Sequence, residues 1–208
     1  SDDGRRLAYT TDVTGFRELT LYVKDLATGD VLPDRVEKVS SVAWAADGDV
    51  LFYVTEDHAK RAHRLWRHRL GAEADDLLYE ETDELFRLHV WRSRSRAFLF
   101  AGSYSFTSTE TRYLSAAHPD GVWQVMQPRE KDHEYHVAHA GDRFYIRTNG
   151  DGLRNYRLVT APVSDPGRVR WTEILPHRED VMLEDLDVFA DFLVVHERED
   201  GLTHLRVT

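Results

Sequence analysis

Short runs of apolar residues punctuate this chain at a regular interval, and each run is bounded by polar turn residues. Leu7–Thr10, Leu51–Thr55, Phe98–Ala101, Phe144–Thr148 and Phe192–His196 have the aliphatic, β-branched and aromatic content of strands. Their aromatic anchors Tyr9, Tyr53, Phe98, Tyr145 and Phe192 lie 44, 45, 47 and 47 positions apart. A second run follows each of the first four by 12 to 14 residues: Leu19–Leu26, Leu65–Leu70, Thr111–Ala116 and Tyr156–Ala161. A unit of four strands repeated at this period predicts the blades of a β-propeller, in which each sheet buries its face against the next.

The units can be phased strand by strand. The second predicts strands over Val42–Ala45, Val50–Thr55, His63–Leu70 and Leu77–Glu81, with Asp47-Gly48-Asp49 as its first hairpin turn. The third predicts Arg87–Trp91, Ala97–Ser103, Thr111–Ala116 and Val122–Gln127. Its outer turn is His118-Pro119-Asp120-Gly121, where proline presets φ and the glycine is expected at positive φ. The fourth predicts Tyr135–His139, Arg143–Thr148, Asn155–Ala161 and Trp171–Leu175, with Gly150-Asp151-Gly152 closing its middle hairpin. The first unit opens at Asp3-Gly4 without an inner strand. The fifth holds Asp185–Phe189, Phe192–His196 and Leu202–Val207 and lacks an outer one. The expectation is all-β: a partial propeller of about five four-stranded blades, the first and last incomplete. It forms one propeller fragment over 1–208, with repeats near 1–37, 38–83, 84–130, 131–180 and 181–208. A β-sandwich also has many short strands, but its strands do not recur in groups of four with shared turns. Unpaired strand edges at both ends invite self-association.

Composition narrows the class. The chain has 208 residues, 41% of them hydrophobic, and its apolar stretches are too short to span a bilayer. Its start, Ser1-Asp2-Asp3-Gly4, has neither a basic nor an apolar leader segment and reads as a cut into a longer chain. The absence of cysteine removes disulfides, zinc–thiolate sites and thiol catalysis, and suits a cytoplasmic protein. A formal net charge of −10, with acids spread throughout, argues against a nucleic-acid surface. It would attract basic partners.

Candidate chemistry is sparse. Gly102-Ser103 lies in a strand rather than in the strand-to-helix elbow of a serine hydrolase. His133, His136 and His139 would be a metal set on a helix. On a strand His133 and His139 share a face roughly 20 Å apart while His136 points away. His58, His63 and His68 are spread over a loop and a strand. The carboxylate pairs Asp2/Asp3, Asp75/Asp76 and Glu80/Glu81, and the group Glu197/Glu199/Asp200, read as solvated turn residues rather than a glycosidase pair. Trp44, Trp66, Trp91, Trp123 and Trp171 read as packing between blades. Asp12, Arg17 and Glu18 form a polar cluster in the first unit's hairpin, placed to line a channel mouth or simply a surface loop. No catalytic, cofactor-binding or metal residue is assigned.

Several strings carry a resemblance. Leu19-Thr20-Leu21-Tyr22-Val23-Lys24-Asp25-Leu26-Ala27-Thr28-Gly29 is one. Pro128-Arg129-Glu130-Lys131-Asp132-His133-Glu134-Tyr135 and Asp142-Arg143-Phe144-Tyr145-Ile146-Arg147-Thr148-Asn149 are others. With Val42–Asp47, Trp66–Gly71, Leu78–Glu81, Ile174–Arg178 and Val188–Val195 they cover nearly the whole chain in order. The chain resembles the propeller region of the oligopeptidase B branch of the prolyl oligopeptidase family. That resemblance implies a cytoplasmic serine peptidase whose propeller caps an α/β-hydrolase domain, admits small peptides and excludes folded proteins. The branch cleaves after Arg or Lys. None of the family's catalytic triad maps onto these 208 residues, so the hydrolase domain is absent and the fragment is expected to be non-catalytic. The alternative is a stand-alone propeller-like interaction module, which the coding sequence downstream of Thr208 would distinguish.

Overall fold

The structure is a computed structural model that describes residues 1–208. Its strands form five sheets, each in simple sequence order. The first sheet holds β1 (Arg6–Thr11), β2 (Thr20–Asp25) and β3 (Val31–Glu37). The second holds β4 (Val39–Trp44), β5 (Val50–Glu56), β6 (Ala62–Arg69) and β7 (Asp76–Glu80). The third holds β8 (Arg87–Arg92), β9 (Phe98–Tyr104), β10 (Thr109–Ser115) and β11 (Gln124–Gln127). The fourth holds β12 (Tyr135–Ala140), β13 (Arg143–Thr148), β14 (Arg157–Pro162) and β15 (Thr172–Leu175). The fifth holds β16 (Val181–Val188), β17 (Leu193–Glu199) and β18 (Leu202–Val207). This is the all-β partial propeller that the repeat predicts, with three strands in the first and last sheets and four in the others.

The chain divides into two compact units. One comprises 1–92, 96–103 and 113–123; the other comprises 93–95, 104–112 and 124–208. In the first unit β5 shows why its sequence is a continuous apolar run rather than an alternating one. Val50, Phe52 and Val54 point into a cluster with Leu65, Leu88 and Leu99. Leu51 and Tyr53 point the opposite way, into a cluster with Leu21, Val23 and Val39. A strand buried on both faces must be apolar at every position. Trp123 closes on Phe52 edge-to-face, with ring centroids 5.5 Å apart, and burying a side chain of this size contributes about 1.5–3 kcal/mol. In the second unit Leu158, Leu183 and Val195 form the corresponding core, flanked by Tyr145, Tyr156 and Leu186.

The turns follow local chemistry, with departures from expectation at Gly121, Tyr156 and Phe192. At the first hairpin of the second sheet, Asp47 accepts hydrogen bonds from the Asp49 and Val50 amides, and Gly48 has φ +73°. That is the left-handed position glycine occupies without steric cost. Gly121 differs from expectation, since its φ is not positive. A Cβ there would stand 2.9 Å from Leu114 Cδ1 and 3.1 Å from the His118 carbonyl. Glycine is required at 121 for space, not for handedness. The middle turn of the fourth sheet includes a 3-10 segment, Gly150–Gly152, in which Asp151 also has positive φ. β14 begins only at Arg157, because Tyr156 is left-handed as well. In the fifth sheet Phe192 falls outside β17. It stacks on Phe189 across the turn at 4.5 Å.

Candidate functional site

The histidines of the sequence candidates are separated by their partners. His133 is buried before β12 with Nε2 2.8 Å from Thr148 Oγ1. His139 is buried at the far end of β12, its Nδ1 2.7 Å from Ser95 Oγ. His136 lies on the opposite face of the strand. It is reachable by water but ringed by protein, and this poor hydration pushes it down to about 4, with the Arg147 guanidinium adding repulsion. His63 is buried on β6 beside the Arg61 carbonyl, and His58 is exposed in the preceding loop. No three His or carboxylate side chains in the chain are grouped to hold a metal ion.

The remaining candidates have structural occupations. Ser103 is fully buried on β9 with its hydroxyl unpartnered. Asp12 caps its own loop, accepting from the amides of Thr14, Gly15 and Arg17 at 2.8–2.9 Å. Glu18 pairs with Lys60 at 3.0 Å. Four of the five tryptophans meet another ring: Trp66 lies parallel to Tyr53, Trp91 tilts on Phe100, Trp123 meets Phe52 edge-on, and Trp171 contacts His133 and Tyr135. Trp44 and Trp66 also pack on the cluster shared by the first and second sheets. The acids depart from the solvated-turn expectation: Asp76 and Glu80 lie on β7, Glu197 and Glu199 lie on β17 with Glu197 paired to Arg206 at 2.7 Å, and two more acids are internal. Glu81 is buried, accepting the Tyr79 hydroxyl at 2.9 Å and the Asp83 amide at 3.1 Å. Asp75 is largely covered and hydrogen-bonded to two side chains. Both are internal because a carboxylate can be buried once its lone pairs are satisfied.

Tyr135, which ends the string Pro128–Tyr135 that carries the resemblance, sits in a buried polar hub in the second unit, while Pro128, Glu130, Lys131 and Asp132 are exposed. The Tyr135 hydroxyl donates to the Gln127 carbonyl at 2.5 Å and accepts from the Thr111 amide at 2.8 Å. Burial raises this phenol to about 12. Glu110 is buried with Arg112 at 2.7 Å and accepts the Arg129 amide at 3.0 Å. The hub ties β10 to the segment entering β12, and its buried members Glu110 and Tyr135 are each held by particular partners.

The second polar cluster was not legible in the sequence. His68 on β6 has Nε2 2.8 Å from Asp34 of β3 and Nδ1 2.7 Å from Asp75. Asp34 also accepts the Gly71 amide at 2.6 Å, and Tyr53 of β5 donates its hydroxyl to the other oxygen of Asp75 at 2.5 Å. These residues line a cavity of about 540 Å³ together with Trp66 and Glu73. Burial opposes charge on His68, but the two carboxylates outweigh it and raise its pKa above the ordinary 6.5. Burial likewise opposes ionisation of Asp34, yet its bonds to the Gly71 amide and His68 hold it below the ordinary carboxylate value. The partners are 34 and 7 positions from His68, and no sequence period links them.

In two of the three complete sheets the first strand leaves positions open between buried ones. In the first unit these are Arg87 and His89 on β8; in the second, His136 on β12. Such positions can present charge and hydrogen bonds without disturbing the packed faces.

The profile of the prolyl oligopeptidase N-terminal β-propeller domain matches residues 1–208. Dipeptidyl aminopeptidase BI of Pseudoxanthomonas mexicana is 43% identical over 100% of this chain and 29% of its own length. Protease 2 of Moraxella lacunata is 36% identical over 99% of this chain and 30% of its own. The structure of oligopeptidase B from Leishmania major superposes with a TM-score of 0.91 at 30% identity, covering 98% of this chain and 29% of that one. The chain thus spans less than a third of the length of these relatives. A full-length profile match and five antiparallel sheets in sequence order lead to one conclusion: the chain belongs to the prolyl oligopeptidase family, as its N-terminal β-propeller domain.

Proposed function

We propose that this chain is the substrate-gating propeller of an oligopeptidase-B-like serine peptidase that cleaves small peptides after Arg or Lys, and that it is itself non-catalytic. One observation carries the reading. The likeness to dipeptidyl aminopeptidase BI and protease 2 runs the whole length of this chain but occupies only 29% and 30% of those proteins. Most of each relative therefore lies outside the matched propeller. In this reading the partner is an α/β-hydrolase domain of the same parent chain, working in the cytoplasm without a cofactor. The net charge of −10 supports attraction of basic peptides, acting on approach rate more than on final affinity. No helix is long and apolar enough to cross a membrane.

One serine–histidine contact bears on the non-catalytic part. Ser95 Oγ is 2.7 Å from His139 Nδ1 and 2.8 Å from Ser93 Oγ. We read it as a stitch between the β8–β9 turn and the end of β12. The test is to assay the 208-residue chain on a short Arg-containing chromogenic peptide. No turnover is expected. Turnover abolished by Ser95→Ala would overturn the non-catalytic reading, and a full-length parent with no preference for Arg or Lys would overturn the specificity.

Self-association belongs to the same reading. Strand β18 is exposed along its length, with Leu202, Leu205 and Val207 each about two-thirds accessible. Such an edge is a template for pairing with another chain. Light scattering should show mass rising with concentration; a strictly monomeric species at high concentration would end the idea.

A further inference from the structure

The His68 cluster joins two sheets of the first unit through one titratable ring. Asp34 belongs to β3 of the first sheet, His68 to β6 of the second, and Asp75 to the turn after β6. Both ring nitrogens stand at hydrogen-bonding distance from carboxylate oxygens, 2.8 Å and 2.7 Å. An ionised carboxylate only accepts hydrogen bonds, and a neutral imidazole has a single N–H. Both contacts are satisfied together only by the imidazolium. We propose that protonated His68 is the bolt of a pH-dependent clamp fastening β3 to the second sheet, and that loss of its ring proton to water frees β3.

The surrounding charges favour this design. The groups facing the ring are Asp34 from β3, Tyr53 from β5, and Glu73 and Asp75 from the turn after β6. Arg35 of β3 also lines the cavity, but it pairs with Glu37 at 2.9 Å. The Tyr53 hydroxyl is held neutral, its pKa raised by burial and by its bond to Asp75. With His68 charged, one cation sits between two carboxylates. When the proton leaves, Asp34 and Asp75 face one another across a neutral ring, and one ring nitrogen turns a lone pair toward a carboxylate. Charge-assisted bonds become repulsions. His68 is only 7% exposed, and the adjoining cavity provides the route by which the proton reaches solvent.

The direction in pH follows from linkage. The folded-state pKa of His68 is raised, so the clamp's contribution is complete below the unfolded value of 6.5 and is lost as pH rises through the folded value. The clamp therefore opens on the alkaline side, and it stands apart from any role in gating peptides.

Nitrogen-15 NMR titration of the ring in the full chain tests the protonation state. Both His68 nitrogens should carry protons at pH 6.5, with a midpoint above that value. Amide hydrogen exchange, corrected for its intrinsic pH dependence, tests the mechanical consequence. The amides of Val31, Leu32, Asp34–Glu37 and Gly71 should lose protection across the same titration. In His68→Gln they should exchange fast at every pH. If that variant does not fold, Asp34→Asn should lower the His68 midpoint while keeping an acceptor for Gly71. A midpoint at or below 6.5, or protection of β3 that stays constant through the titration, overturns the proposal.

Discussion

Thr109 and Tyr135 exchange two hydrogen bonds across neighbouring sheets. The Thr109 hydroxyl donates to the Tyr135 carbonyl at 2.9 Å and accepts from the Tyr135 amide at 2.7 Å. A side chain here does what a ladder partner does within a sheet, and it satisfies two backbone groups that are both buried. Replacing Thr109 with isosteric valine removes both bonds and leaves the amide and carbonyl without them. We expect a loss of about 1–3 kcal/mol for each group left unsatisfied. Thr109→Ser should retain most of the stability. Urea unfolding midpoints of the two variants distinguish a hydrogen-bonding role from a packing one.

Tyr135 gives a prediction in pH. Burial raises its phenol from 10.0 to about 12, so the neutral hydroxyl stabilises the fold fully below pH 10. That contribution falls as pH rises from 10 through about 12, by on the order of 2–3 kcal/mol in total. Tyr135→Phe should be less stable at neutral pH, because the Gln127 carbonyl and Thr111 amide lose their partner. It should also show a shallower decline above pH 10. Thermal unfolding followed from pH 8 to 11.5 gives both quantities, and parallel curves for the two proteins would count against the assignment.

His136 titrates in the opposite sense. Its folded-state value is pushed down to about 4 from 6.5, so the unfolded chain binds the proton more readily. The associated stability is complete above pH 6.5 and is lost as pH falls toward 4. Its partial access to water reduces the size of the effect. His136→Gln should flatten the stability profile between pH 4 and 6.5 with little change at pH 8, as judged by denaturant midpoints across that range.

Two glycines should respond to alanine for different reasons. Gly121→Ala places a Cβ 2.9 Å from the buried Leu114 side chain, and overpacking of this kind costs about 1–3 kcal/mol. Gly141→Ala meets no atom within 4 Å but must hold φ +59°, which costs about 1–2 kcal/mol. A second substitution separates the two causes. Gly141→Asn should recover part of the loss, since asparagine tolerates the left-handed region. Gly121→Asn should be worse than Gly121→Ala.

The order and strand content of the sheets could be read from local signals. The predicted strands Val50–Thr55, Ala97–Ser103 and Arg143–Thr148 lie within one residue of the observed β5, β9 and β13. Asp47-Gly48 makes the hairpin its residue types require. Boundaries were less legible where burial overrides local pattern. β16 starts at Val181 rather than Asp185, because Val181 and Leu183 are buried and pair with Glu199 and Glu197 of β17. Gly121 illustrates a different gap: its turn is local, but the reason for glycine lies in the distance to Leu114.

Hairpins, turns and the repeat period are fixed by interactions among residues close in the chain, so the sequence by itself determined five antiparallel sheets and the family to which they belong. Only the tertiary structure decided that Asp34, His68, Asp75 and Tyr53 converge, that Thr109 and Tyr135 satisfy one another, and that β5 is buried on both faces. Those facts depend on which sheet faces which. Charge and hydrogen bonding act through space, and the separation of two residues along the chain does not encode the distance between them once the sheets pack.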